Sequence, residues 1–245
     1  MQKIFQLLEL FNSSKALIAF FLWPKFSFSS YLIINRLKKL KISPKTVIDV
    51  GSNEGQFAVA VAKIFKNIEI FSFEPDKNVI KKLISNLKFH KQSKIINSSI
   101  GDYQGNVKFN INKDTQVSSI LELGTERKRM FPHAKVQEEI LVPINTLDNF
   151  FKNQAFQFPI LLKIDVQCYE DKVIKGAVGI LKKINWIIIE ISFTDLYKKE
   201  VNFNYINNLM KKNGFKFLKP LNFHTSPNND QIIEMDALFI KKNNL

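Results

Sequence analysis

The sequence predicts an α/β fold built on an open, mostly parallel sheet. Residues Thr46–Asp76 run through an apolar stretch, a glycine-bearing turn, an amphipathic stretch and a second apolar stretch, which is one βαβ unit. Ile160–Ile164 and Trp186–Ile191 are near-continuous apolar runs of strand length, as strands covered on both faces require. A length of 245 residues, 45% of them hydrophobic, suits one large domain with additions.

Residues 3–22 read as helical, with Ile4, Phe5, Leu8 and Phe11 on one face. The apolar run Ala16–Trp23 stops at Pro24, well short of the roughly 20 residues a membrane span needs, and no small-residue cleavage site follows it. A pair of short helices packed on the main domain is expected. Peripheral membrane contact through Phe20, Phe21 and Trp23 is the alternative. Tyr31–Leu40 is a further helix, and Ser43-Pro44 divides an N-terminal helical extension (1–44) from the main domain (45–245).

In that domain Thr46–Val50 is a strand, Gln56–Phe65 a helix and Ile68–Phe73 a strand. Asn78–Phe89 is an amphipathic helix and Lys94–Ser98 a third strand, which runs into the turn Ser99-Ile100-Gly101-Asp102. Residues 103–145 break the βα rhythm. Gly105–Ile111 and Glu138–Ile144 read as antiparallel or edge strands, and the basic stretch Arg127–His133 between them reads as a loop. Thr146 or Asn145 caps a short helix, and Ile160–Ile164 is the fourth strand. Val173–Lys182 is a helix, Trp186–Ile191 the fifth strand and Phe203–Lys212 a helix. Phe215–Leu218 and Met235–Ile240 close the domain as a hairpin through Thr225–Asp230.

The chemistry concentrates in the first βαβ unit. Gly51 and Gly55 permit a tight turn that a ligand can approach closely, and the turn feeds a helix N-terminus. Glu74, about 20 positions on and at the end of the second strand, is placed to accept hydrogen bonds from ribose hydroxyls. A dinucleotide turn carries a glycine where this chain has Asn53, and here two acids, Asp49 and Glu54, flank the turn. Carboxylates repel a pyrophosphate but suit a cationic amino-acid tail, which favours S-adenosylmethionine over NAD. Asp102, in a polar turn after a parallel strand, is a candidate for the adenine amino group or an ordinary turn residue.

The net charge is +14, yet of 36 Lys and Arg residues only Arg36, Arg127 and Arg129 are arginine. Bidentate phosphate reading recruits arginine, so the charge reads as a lysine-coated surface rather than a nucleic-acid interface. The single cysteine, Cys168, excludes an internal disulfide and fits a reducing, cytoplasmic setting.

Six motifs in order then resemble the FkbM-type methyltransferases: VIDVGSNEGQFA (47–58), FEPD (73–76), SSIGDYQG (98–105), TLDNFF (146–151), LLKIDVQCYEDKVIKGA (161–177) and IIIEIS (187–192). The tail DALFIKK (236–242) is similar as well. The resemblance spans roughly residues 45–242. It implies the class I methyltransferase Rossmann-like fold, a seven-stranded, mostly parallel sheet with one antiparallel strand, and S-adenosylmethionine as cofactor. It also implies cofactor contacts at Asp49, Gly51, Asn53, Gly55, Glu74 and Asp102. The family usually has glycine where this chain has Cys168, while Asp165 and Glu170 of the same motif are kept.

Transfer from a sulfonium needs in-line positioning and exclusion of water, and a base where the acceptor is a hydroxyl. Asp165 and Glu170 are the catalytic candidates, followed by Glu190 and the loop histidines His133 and His224. Asp165 with Glu170 would suit a hard cation only with further ligands, so no metal is expected. The resemblance implies a hydroxyl on a sugar, glycan or secondary metabolite as the acceptor. The alternatives are an NAD-dependent oxidoreductase, a non-catalytic nucleoside-binding module, and an RNA methyltransferase.

Overall fold

The structure is a computed structural model that describes residues 14–130, 136–194, 196–197, 201–226 and 231–242. Two helices, α1 (Ser14–Leu22) and α2 (Phe28–Lys39), precede the βαβ unit β1 (Thr46–Val50), α3 (Gln56–Ile64) and β2 (Glu69–Phe73). Next come α4 (Lys77–Leu87), β3 (Ser93–Ile96), β4 (Ser99–Ile100), β5 (Gly105–Asn112), α5 (Thr125–Met130), β6 (Val136–Asn145) and α6 (Leu147–Phe150). The chain continues through β7 (Ile160–Ile164), α7 (Glu170–Lys175), β8 (Trp186–Ser192) and α8 (Phe203–Lys212) to β9 (Phe215–Thr225) and β10 (Ile232–Lys241).

Seven strands form one sheet in the order β3-β2-β1-β7-β8-β10-β9. Every pairing from β3 to β8 is parallel, and β10 runs antiparallel to both of its neighbours. This is the class I methyltransferase arrangement the motifs imply, with β10 as the reversed strand. A small second sheet, β4-β6-β5, is built from the insertion after β3.

Side chains alternate across the large sheet. Val47, Leu161, Ile188 and Leu238 pack with Ile34 and Leu37 of α2 and Phe57 and Val61 of α3 on one face. Ile48, Leu162, Ile187 and Phe239 pack with Val173, Ile174 and Met210 on the other. Each such buried aliphatic side chain contributes roughly 1.5–3 kcal/mol of transfer free energy, so covering both faces fixes the layer order. Helix α2 of the N-terminal extension is therefore part of the core. The Arg36 guanidinium donates to the Leu221 carbonyl and ties α2 to β9.

Helix α1 buries Ala16 and Ala19 against Tyr31 and leaves Ile18, Phe20, Phe21 and Leu22 exposed. Phe20 and Phe21 are two of the three residues named from the sequence for contact with a membrane surface. Among the described residues no helix is long and apolar enough to cross a membrane. The part of the expected helix before Ser14 lies outside the described residues.

Three elements differ from the sequence reading. The helix expected over Val173–Lys182 is α7 followed by a single 3-10 turn, Ile180–Lys182. The break falls at Gly176, where a Cβ would come within 1.9 Å of the Gly101 carbonyl oxygen. The short strand expected from Phe215 runs on to Thr225, tolerating Pro220 because β9 is an edge strand with register shifts. The basic stretch begins as helix α5, while Phe131–Lys135, and so His133, lie outside the described residues.

Candidate active site

The strand order lays out a polar seam across the carboxyl ends of the central strands. On the face covered by α2 and α3, Ser72 of β2 pairs with Asp49 of β1, and Asp49 pairs with Lys163 of β7. Glu190 of β8 pairs with Asp236 of β10, which pairs with Asn222 of β9. These side chains share the parity of the apolar residues beneath them, so the apolar face turns polar where the strands end. Above the seam lies a cavity of about 570 Å³, a size suited to a small-molecule ligand. Its roof comes from Ser27, Ser29, Ser30 and Ile33 of the N-terminal extension and from the 3-10 turn Thr115–Val117 of the insertion.

Over β2 and β1 the cavity has the features of a nucleoside cradle. Gly51 has φ 83°, and a Cβ there would lie 1.8 Å from the Asp165 carbonyl oxygen, so the turn closes against the end of β7 only as glycine. Asn53 also adopts a positive φ of 48°, a conformation asparagine tolerates better than most residues. Its N–H donates to Glu74 Oε2 at 2.9 Å, and the Asp76 N–H donates to Oε1 at 2.9 Å. Glu74 is thus held by one bond to each oxygen, leaving lone pairs for two further donors. Burial pushes its pKa up to about 7 against those two bonds.

The carboxylate of Asp49 is fully buried, and among the described residues neither of its oxygens has a hydrogen-bond partner, the nearby Ser52 hydroxyl donating to the Asp49 backbone carbonyl instead. Burial raises its pKa to about 6 despite the Lys163 charge. A buried carboxylate without a donor is costly unless a ligand supplies one, and an ammonium group is such a donor. These residues therefore suit a nucleoside with a cationic tail. The Ser99 hydroxyl, also buried without a partner among the described residues, stands at the other end of the cradle with Ser98 and Ile100.

Beyond β1 the cavity floor carries titratable groups. Lys163 Nζ lies 2.5 Å from Asp165 Oδ2. Burial opposes the charge on Lys163, but Asp165, Asp236 and Asp49 outweigh it and hold its pKa above the ordinary lysine range. Asp165 in turn is held below the ordinary carboxylate range, because the Lys163 charge and the hydrogen bonds it receives outweigh burial. The Gln167 amide donates to Asp165 Oδ1 at 3.1 Å and to Glu190 Oε2 at 2.6 Å, so it spans the two carboxyls. The Tyr197 hydroxyl donates to Gln167 Oε1 at 2.9 Å and fixes that amide. Burial, then Asp165, Glu234 and Asp236, raise Glu190 well above its usual range. Burial thus disfavours the charge on Glu190 while Lys163 favours it on Asp165, so the two carboxyls are pushed in opposite directions.

The structure brings Asp49, Gly51, Asn53, Glu74, Asp165, Glu190 and His224 to one cavity. It keeps Gly55, Glu170 and Asp102 off the lining. Gly55, at φ 91°, caps α3 and packs toward Leu83. Glu170 is buried with Oε1 accepting the N–H groups of Val166 and Cys168, both at 3.1 Å, so it organises the loop after β7. Asp102 turns away to Lys172, 3.4 Å off. Glu54, the second acid at the turn, faces outward to Lys25 and Lys82, leaving Asp49 as the acid of that pair inside the cavity. Cys168 has φ 72°, which explains why glycine is usual at this position and marks the departure as strained. Among the described residues no group of three or more His, Cys, Asp or Glu has metal-holding geometry.

Lys163, Asp236 and Gln167 were not singled out from the sequence. A signal existed, since ILLKI and MDALFI each carry one charge inside an otherwise apolar strand, and a charge there is buried whichever way the strand faces.

The family profile described as "Methyltransferase FkbM domain" matches residues 49–217. The chain belongs to the FkbM methyltransferase family. Family membership and the cradle together make S-adenosylmethionine its cofactor, in place of the NAD alternative. Among curated relatives, the 2-O-methyltransferase NoeI of Sinorhizobium fredii is 23% identical over 189 residues, covering 74% of this chain and 78% of that protein. The hexuronic acid methyltransferase AglP of Haloferax volcanii is 27% identical over 146 residues, covering 58% of this chain and 54% of that protein. Among solved structures, magnesium protoporphyrin IX methyltransferase from Synechocystis with bound SAM is 8% identical at a TM-score of 0.47, covering 87% of this chain and 77% of that one. The placement of this FkbM chain in the class I fold rests on its strand order.

Proposed function

We propose that this FkbM methyltransferase methylates a hydroxyl oxygen on a sugar, glycan or secondary metabolite. The observation that carries the reading is the Asp165–Glu190 carboxyl pair, bridged by Gln167, just beyond the Gly51 turn. A hydroxyl must lose its proton as it is methylated, and a carboxylate within reach supplies the acceptor. The name of NoeI, a 2-O-methyltransferase, supports an O-directed reaction, and that of AglP, a hexuronic acid methyltransferase, supports a sugar as the acceptor.

Bound S-adenosylmethionine supplies an activated methyl group on a sulfonium. In this reading Glu74 accepts from the ribose hydroxyls, and Asp49 receives the ammonium of the amino-acid tail. Gly51, Asn53 and Gly55 shape the turn, and Ser99, rather than Asp102, faces the purine end. Asp165 orients the acceptor hydroxyl and takes its proton as the new C–O bond forms. Lys163 keeps Asp165 ionised and so ready to accept. Glu170 positions Asp165 by holding the loop that follows it. The roof covers part of the cavity, and exclusion of water beneath it by the bound acceptor would strengthen each of these interactions.

The test is incubation of the protein with extracts of its source and trideuteromethyl-labelled cofactor, read by mass spectrometry. Label appearing as a methyl ether on a hydroxylated small molecule or glycan supports the reading. Label found only on nitrogen, carbon or RNA contradicts it. In parallel, Asp165→Asn is expected to keep cofactor affinity and lose at least about a hundredfold in turnover, the low end for removal of a general base.

A further inference from the structure

We propose that the acceptor subsite is completed by segments outside the matched family domain, the start of α2 and the β9–β10 pair beyond Phe217, and that it takes a hydroxylated acceptor bearing no acidic group. This rests on the proposed O-methylation and adds the class of acceptor. The family match ends at Phe217, near the start of β9. Ser29, Ser30, His224, Glu234 and Asp236 all lie outside 49–217 and line the same cavity.

Strand order shows which end they serve. Glu74 follows β2 and Asp49 lies on β1, so the cofactor cradle spans those two strands. Asp165, Glu190 and Asp236 sit over β7, β8 and β10 in turn. Adjacent strands are about 4.8 Å apart, so Asp236 lies on the order of 15 Å along the sheet from the Asp49 column, beyond Asp165 and away from the nucleoside. The acceptor must enter on this side, because its hydroxyl has to lie between the methyl group and Asp165. The side chains here are joined across the wall: the Asn222 amide donates to Ser29 Oγ at 2.7 Å, locking the N-terminal extension onto β9.

The chemistry of this wall is one-sided. The chain as a whole carries +14, yet the described charged residues on this part of the lining are Asp165, Glu190, Glu234 and Asp236 against Lys163. Lys163 is already committed to Asp165. A carboxylate brought in with the acceptor would add a like charge to Asp165 and Asp236 in a partly desolvated space, and such juxtaposition is a strong means of rejecting a ligand. Neutral hydroxyls face no such barrier: carboxyls, serine hydroxyls and an imidazole are the partners they need. Asp165, which Lys163 holds in its charged form, carries this discrimination and Asp236 adds to it, while Glu190, whose charge burial disfavours, serves as a hydrogen-bonding partner, whichever partner Glu234 has.

The experiment uses the full chain, saturating cofactor and matched pairs of methyl glycosides of the gluco, galacto and manno series, each as the neutral sugar and as its 6-carboxylate. The expected result is that kcat/KM for the neutral member of any accepted pair exceeds that of the carboxylate by at least about tenfold. Asp236→Asn should narrow that ratio. His224→Lys, which adds a cation at the wall on edge strand β9 and leaves the Asn222–Ser29 bond in place, should narrow it as well and guards against misfolding of the first variant. A carboxylate accepted as well as or better than its neutral partner overturns the acid-free subsite and leaves O-methylation standing. Methyl transfer to none of the sugars, neutral or acidic, overturns the proposed subsite, whereas O-methylation itself falls only if the labelled methyl appears solely on nitrogen, carbon or RNA.

Discussion

Replacing Lys163 by methionine tests the buried charge seam directly. The ammonium lies 2.5 Å from Asp165 Oδ2, its side chain is 7% exposed, and Asp49 and Asp236 also bear on it. Methionine keeps the length and the apolar stem and removes the charge. Removing one partner of a buried pair costs about 3–5 kcal/mol, because the other charge is left without compensation. The cost must depend on pH. In the wild type the Asp165 pKa is lowered on folding, so its contribution is present at neutral pH and is lost only as pH falls through that low value. Without Lys163 the same carboxyl is buried beside Glu190 and Asp236, and its folded pKa rises above the unfolded value of 3.8. Stability of the variant then falls as pH rises, at about 1.4 kcal/mol per pH unit until the raised pKa is passed. Urea unfolding of both proteins at several pH values between about 5 and 8 measures the gap. It should be near 1–2 kcal/mol at about pH 5 and roughly 4 kcal/mol by pH 8. A gap that stays flat over this range, or stays below about 1 kcal/mol at pH 8, would refute the assignment of Lys163 as the counter-charge of the seam.

Three other outcomes follow from the same geometry. Glu74→Ala should weaken S-adenosylmethionine binding by at least about a hundredfold in calorimetry, since it removes the acceptor for two charge-assisted hydrogen bonds; unchanged affinity removes Glu74 from the ribose. Because burial raises Glu74 to about 7, wild-type affinity should fall by about tenfold between pH 8 and pH 6 as the carboxylate takes a proton, and a flat profile contradicts this. Cys168→Gly should stabilise the chain by about 1 kcal/mol, as glycine relieves the positive φ while the 3.2 Å contact of Sγ with Ser192 Oγ is given up; a lower urea midpoint argues against strain at this turn.

The cradle was legible because its signals are local. Gly51, Gly55 and Glu74 lie within one βαβ unit, and turn geometry fixes where such residues go. The parallel core was legible from apolar runs such as Trp186–Ile191, and the reversed strand β10 from family resemblance. The far half of the site was legible only in part: Asp165, Glu190 and His224 were named from the sequence, and Lys163, Asp236, Asn222 and Ser29 were not. It exists because Asp236 pairs with Glu190 across an antiparallel ladder and because Asn222 reaches Ser29 of the N-terminal extension. Contacts between such distant parts of the sequence leave no periodic trace. The same reason explains Glu170 and Asp102. Both sit in motifs beside the site, but which way each carboxylate turns is decided by the Val166 and Cys168 N–H groups in one case and by Lys172 in the other.

A crystal structure with S-adenosylhomocysteine bound tests the central claim most directly. The expected complex has the ribose hydroxyls within hydrogen-bond distance of Glu74, the amino tail beside Asp49, and the sulfur pointing toward Asp165. A nucleoside bound elsewhere, or a tail directed away from Asp49, would contradict it.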